Sequence, residues 1–165
     1  MAELHIPFQL LALPNQSVID ADSMFCGEQA AETDPRAEES FHLIIKASIK
    51  GEPVNLILDT GASKTVLDQE KYQGILKPFN NSDPIFSSGI SENIEVQFVW
   101  LEGLNFNGIE IAPFVSGLTK LDHINQIYGM YNLPYIDGLI GNDILIKYQA
   151  LINYSRNMLI IESNV

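Results

Sequence analysis

The segment Leu56–Leu67, LILDTGASKTVL, holds the residues of this chain best suited to chemistry. An apolar run ends on Asp59, small residues follow (Thr60, then Gly61, Ala62 and Ser63), and the β-branched pair Thr65 and Val66 resumes core-like sequence. The plain reading is a strand closing in an Asx-type turn. The chemical reading is a carboxylate presented on a loop with little side-chain bulk around it. One carboxylate cannot be acid and base at once. Two carboxylates about 3 Å apart can, because repulsion keeps both from ionising and they share a proton. The ionised member takes a proton from water as the water attacks a carbonyl carbon. The protonated member hydrogen-bonds the carbonyl oxygen and stabilises its developing charge. That scheme needs no metal and no other cofactor.

A second segment, IDGLIGNDIL (Ile136–Leu145), joins an apolar run to a short helical pattern through Gly138 and Gly141, with Asn142 or Asp143 as the expected helix cap. These glycines make either plain turns or a tight packing surface. Together, the Asp-Thr-Gly loop and the apolar-apolar-Gly segment resemble the active-site loops of retropepsin-like aspartic peptidases, the single-domain bacterial relatives of retroviral proteases. The continuation KYQALINYSRNMLIIE is similar to the ending of such bacterial domains. The resemblance covers about Phe41 to Glu162. It implies an aspartic endopeptidase with Asp59 as the catalytic residue, Thr60–Ser63 supporting its loop, and Gly138 and Gly141 packing beside it. It further implies that the Thr60 hydroxyl ties two such loops together across a two-fold axis. A flap is expected over Ile85–Glu95, with Ser87, Ser88, Gly89 and Ile90 at its tip. Asn142 stands where retroviral enzymes carry an arginine that ties the dimer together.

The chain contains one Asp-Thr-Gly, and Asp122, Asp137 and Asp143 lie outside any second such loop. A complete pair of carboxylates therefore requires two chains, and a C2 homodimer supplies the second Asp59. The substrate implied is an extended peptide or protein segment. The expected interface includes the Asp59–Ser63 loops, the flap tips and the terminal strand around Leu159–Glu162. The competing reading is a monomeric retropepsin-like binding or scaffold module without catalysis. A third is an acidic self-processing precursor whose first forty residues regulate pairing.

Other reactive residue types give weaker patterns. His5, His42 and His123 are far apart in sequence, without metal-ligand spacing, and read as surface or core histidines. Ser63 and Lys64 are neighbours whose side chains diverge on a strand, which argues against a Ser/Lys hydrolase. Cys26, the single cysteine, sits among acids that disfavour a reactive thiolate and leaves no intrachain disulfide. Trp100 reads as core or cleft wall.

The elements that must position Asp59 follow from patterning. An apolar fraction of 46% over 165 residues suits one folded domain. Residues 4–13 read as an edge strand with Pro7 inside. Phe41–Ile49, a Lys-Gly-Glu-Pro turn and Val54–Leu58 read as a hairpin running into a buried strand. Val96, Phe98 and Trp100 alternate along a strand, Asn107-Gly108 marks a type I′ hairpin, and 117–135 read as a short helix and loop. Ala150–Tyr154, a Ser155-Arg156-Asn157 turn and Met158–Glu162 read as a closing hairpin. The whole suggests an all-β fold, a small closed acid-protease β-barrel with one short helix near the C-terminus. The expected division is 1–40 as an N-terminal strand plus acidic arm and 41–165 as the barrel domain. Within 14–40 stand seven acids (Asp20, Asp22, Glu28, Glu32, Asp34, Glu38, Glu39) against Arg36, half of the formal charge of −12. That charge argues against nucleic acid or anionic membrane as partners. No run is long enough in apolar residues for a membrane span, and Met1–Leu13 lacks a basic n-region. The chain reads as soluble and cytoplasmic as it stands, with room for an export signal already removed.

Overall fold

The computed structural model describes residues 2–13, 40–79, 87–89, 92–94 and 97–163. Most of the acidic stretch, and Ile90 of the expected flap tip, lie outside these residues. The strands are β1 (Ala2–Leu13), β2 (Ser40–Ile49), β3 (Glu52–Leu58), β4 (Val66–Asp68), β5 (Lys77–Pro78), β6 (Ser87–Gly89), β7 (Glu92–Ile94), β8 (Gln97–Leu101), β9 (Leu104–Phe106), β10 (Ile109–Glu110), β11 (Phe114–Thr119), β12 (Gly138–Ile140), β13 (Leu151–Asn153) and β14 (Met158–Ser163). The helices are α1 (Gln69–Tyr72), α2 (Asp122–Met130) and α3 (Asn142–Lys147). The fold is mostly strand, as expected; α3 is the short helix expected near the C-terminus, α2 lies within 117–135, read as a short helix and loop, and α1 is a single further turn. None of the helices described is long and apolar enough to cross a membrane.

Local chemistry sets the turns. Lys50 and Gly51 (φ 52° and 87°) reverse the chain between the paired residues Ile49 and Glu52. Asn107 and Gly108 (φ 50° and 89°) do the same between Phe106 and Ile109. Two consecutive positive φ values are what a type I′ turn requires, and Asn and Gly reach them at least cost. The closing hairpin pairs Leu151 with Ile160 and Asn153 with Met158.

The main sheet runs β13-β14-β1-β2-β3-β12-β4-β11-β8-β5, with β9 added on β2 and β10 on β9. Among the described residues this is an open path ending on β13 and β5, not a ring of strands closed into a barrel. The β3–β12 and β4–β11 pairs are parallel, and the other pairs are antiparallel. β1 is not an edge strand. Its first half pairs with β14 and its second half with β2, and the change comes between Pro7 and Phe8. Proline has no N–H to donate, and a strand paired on one side at a time can carry it where partners change. Met158–Ile160 of β14 are flanked by β13 on one side and β1 on the other, so this part of the terminal strand is occupied within the chain. Within the expected contact between copies through Leu159–Glu162, Leu159 and Ile160 therefore offer no free strand edge.

The apolar run of β2 and β3 is explained by burial on both faces. Ile45, Leu56 and Leu58 point into the principal core with Leu67, Leu101, Phe106 and Ile140. Ile44 and Ile57 point the other way, into a smaller cluster with Leu121, Tyr128 and Ile136. Strand side chains alternate between faces, so a strand buried on both must be apolar at both parities. Helix α2 is the cover on the second face, supplying Tyr128. On β8 the expected parity is reversed: Val99 and Leu101 are buried, while Trp100 is 40% exposed and meets Phe79 edge-on at 5.4 Å. Apolar residues at both parities leave the choice of face to tertiary packing.

Candidate active site

β3 delivers Asp59 beyond its last residue, where the Asp59 N–H donates to the Ile140 carbonyl at 3.0 Å and extends the pairing with β12. The chain then turns. The Gly61 N–H donates to Asp59 Oδ1 at 2.8 Å, and the Ala62 N–H to the Asp59 carbonyl at 3.2 Å. A Cβ on Gly61 would sit 3.1 Å from Oδ1, so glycine keeps this oxygen unencumbered. Asp59 is half-buried; Thr60, Gly61 and Ser63 are exposed. Among the described residues Oδ2 receives no hydrogen bond, which leaves one carboxylate oxygen for a partner from outside.

α3 braces the loop from behind. The Asn142 side-chain amide donates to the Thr60 carbonyl at 2.8 Å, and the Asn142 N–H donates to the Ala62 carbonyl at 2.8 Å. The residue in the position of the retroviral arginine thus holds its own chain's loop. Gly138 and Gly141 lie hard against this machinery. A Cβ on Gly138 would fall 2.5 Å from the Val66 carbonyl oxygen, and one on Gly141 2.5 Å from the Lys64 carbonyl carbon. The helix cap is Gly141 itself, rather than Asn142 or Asp143, and no side chain caps it.

The Asp143 side chain is committed elsewhere, to a buried node the sequence reading missed. The Thr65 hydroxyl donates to Asp143 Oδ1 at 2.7 Å, and the Thr65 and Ile144 N–H groups donate to the same oxygen, each at 2.9 Å. The Gly141 N–H donates to Thr65 Oγ1 at 3.1 Å. The Thr65 carbonyl accepts from Gly117 N–H and from the Ser116 hydroxyl, each at 3.0 Å. Thr65 thereby joins the Asp59 loop, β11, β12 and α3, and no local motif marks it because its partners are distant in sequence. Thr65→Val keeps the shape and removes the hydroxyl, leaving Gly141 N–H unpaired in the interior. A loss of about 2–3 kcal/mol in urea unfolding is expected, with Thr65→Ser recovering most of it.

A second acidic group lies at the other end of the same strands. Asp137 and Asp68 are buried. Asp137 forms an ion pair with Lys71 and accepts from Asn55 N–H at 2.7 Å. Asp68 accepts from the Tyr135 hydroxyl and from Leu121 N–H at 3.3 Å. Burial, followed by the charges of Asp137 and Asp68, pushes the Tyr72 phenol up; burial and then the hydrogen bond to Asp68 do the same for Tyr135. Asp137 is level with Asn55, four residues before Asp59 on β3, or about 13 Å along a strand. Neither acid reaches Asp59 as a second carboxylate. No cluster of metal-ligating side chains occurs among the described residues. Ser87, Ser88 and Gly89 form one arm of a separate hairpin, pairing with Ile94, Asn93 and Glu92.

The comparisons with known proteins agree with this geometry. The family model described as aspartyl protease matches residues 45–144, from β2 through the Asp59 loop to the first turns of α3. Among solved structures, a retropepsin-like aspartic protease from Rickettsia conorii superposes with a TM-score of 0.50 at 16% identity, over 97% of this chain and 90% of that one. The retroviral protease-like domain of Ddi1 from Leishmania major gives a TM-score of 0.49 at 18% identity, over 73% of this chain and 85% of that one. No curated protein matches the sequence. The family match spans more than half of the chain and includes the loop that presents Asp59, and the strands take up a retropepsin-like fold: the chain belongs to the aspartyl protease family.

Proposed function

We propose that the protein is an aspartic endopeptidase whose site forms between two copies of the chain, each contributing Asp59. The observation that carries this reading is the presentation of Asp59: one carboxylate oxygen is held by Gly61 N–H, and among the described residues the other is open and no second carboxylate is positioned beside it. In the paired site the ionised Asp59 takes a proton from water as its oxygen bonds to the scissile carbon. The protonated Asp59 hydrogen-bonds the carbonyl oxygen of the tetrahedral intermediate. Collapse breaks the C–N bond, and the proton taken from water passes to the leaving amine. Thr60–Ser63 form the loop floor, Gly138 and Gly141 set its close packing, and the expected flap, with Ser87, Ser88, Gly89 and Ile90, covers an extended peptide or protein substrate.

A second reading, a monomeric binding module, draws support from β14, where Met158–Ile160 are paired by β13 and β1 within the chain. Dilution separates the two. Specific cleavage activity is expected to fall as the protein is diluted through the dimer dissociation constant, in step with sedimentation. Full activity in a sample that sediments as monomer would end the shared-site reading, and a dimer without cleavage activity would remove the enzyme assignment.

A further inference from the structure

We infer that His42 is a positioning residue for Asp59, an imidazole facing the carboxylate across the β2–β3 ladder that biases its protonation and so the pH limits of the site. This rests on the peptidase reading above. The β2–β3 register pairs Ile44 with Ile57, and its continuation by two residues sets His42 opposite Asp59. Parity agrees. Ile44 and Ile57 lie in the cluster under α2, and residues two apart on a strand share a face. His42 and Asp59 therefore point to the same side, as opposed residues about 5 Å apart do in an antiparallel pair.

Helix α2 holds the ring. His42 Nδ1 lies 2.6 Å from the Tyr128 hydroxyl, and the two rings stack with centroids 5.9 Å apart. Burial pushes the Tyr128 phenol up to about 12, so it stays protonated and able to donate to Nδ1. The neutral ring then carries its proton on Nε2. Among the described residues, the groups facing His42 are Asp59 from the end of β3 and Tyr128 from α2; its register partner on β1 is Leu11, which has no charge. Burial lowers the His42 pKa from its ordinary value, and the Asp59 charge raises it in part. The ring is thus neutral at pH 7 and gains its proton on the acid side, where its charge favours the ionised form of Asp59. Coupling between two binding equilibria is reciprocal. The proton on His42 and the charge on Asp59 are therefore linked, and each reports on the other.

The decisive measurement follows the His42 ring by NMR across pH in the wild-type chain and in Asp59→Asn. The His42 midpoint is expected to fall by about half a pH unit or more when the opposing charge is removed. An unmoved midpoint overturns the inference, whether or not the protein cleaves peptides. In pH–rate profiles, His42→Gln is expected to move the acid limb up by a similar amount. A purely structural role would scale the profile without moving its limb. Should His42→Gln not fold, the NMR pair still decides, since both of its members retain the histidine. A wild-type protein that cleaves nothing while its His42 midpoint responds to Asp59 would sink the peptidase reading and leave the coupling intact.

Discussion

Asp59→Asn is expected to leave the sheet folded and to abolish peptide cleavage. The two side chains have the same shape, and the asparagine Oδ1 can still accept from Gly61 N–H, the hydrogen bond now made at 2.8 Å. The residue is half-buried at a strand end, so its change should cost no more than about 1 kcal/mol in stability. Chemistry loses far more. An amide neither takes a proton from water nor returns one, and the loss of the only base in the site is expected to reduce kcat by about a thousandfold or more. Excess Asp59→Asn mixed into wild type should also poison activity, because a mixed dimer holds one competent carboxylate. Turnover above about one percent of wild type in a clean preparation of the variant would remove Asp59 from its role. Persistent wild-type activity in a mixture shown to exchange subunits would remove the shared site.

The largest structural effect is expected from Gly141→Ala. At φ −101° and ψ −179° this glycine has ordinary extended backbone, so alanine meets no conformational penalty there. The cost is steric. The added Cβ would sit 2.5 and 2.6 Å from the carbonyl carbon and oxygen of Lys64 and 2.9 Å from the Thr65 nitrogen. All three are backbone atoms that no rotamer change can withdraw, and Thr65 is the node joining α3 to the Asp59 loop. Separation of β12 from the loop is expected to cost about 3 kcal/mol or more, with activity lost as Asp59 shifts. Gly108→Ala supplies the contrast. Its φ of 89° strains alanine, yet nothing lies within 4 Å of the added carbon, so about 1 kcal/mol is expected. Urea unfolding of both variants checks the ordering. Equal costs would show that the β12 contact yields easily and that close packing at Gly141 is not what holds the loop.

Much of this protein is legible along the chain because much of it is set by neighbouring residues. Asn107-Gly108 dictates a hairpin through the φ values that those two residues accept, and Lys50-Gly51 does so within the turn expected there. The apolar run Val54–Leu58 followed by Asp-Thr-Gly identifies a buried strand that ends on a presented carboxylate, since a polar group at the end of such a strand must leave the core. Contacts between distant segments were decided only by the tertiary structure. Thr65 and Asp143, 78 positions apart, carry no mutual signal in sequence. The register of β2 against β3 ends at Ile44 and Ile57, and only its continuation by two residues sets His42 opposite Asp59, so a histidine without metal spacing looks idle until that register is known. On β8, apolar residues at both parities left the exposed face undetermined, and packing turned Trp100 outward. β1 changes partners at Pro7, a choice made by which strands lie on either side of it. Turn geometry and strand burial are short-range properties of the chain. Register, face and the pairing of remote side chains depend on how the whole sheet assembles, because a shift of one residue in a ladder sends every side chain to the opposite face.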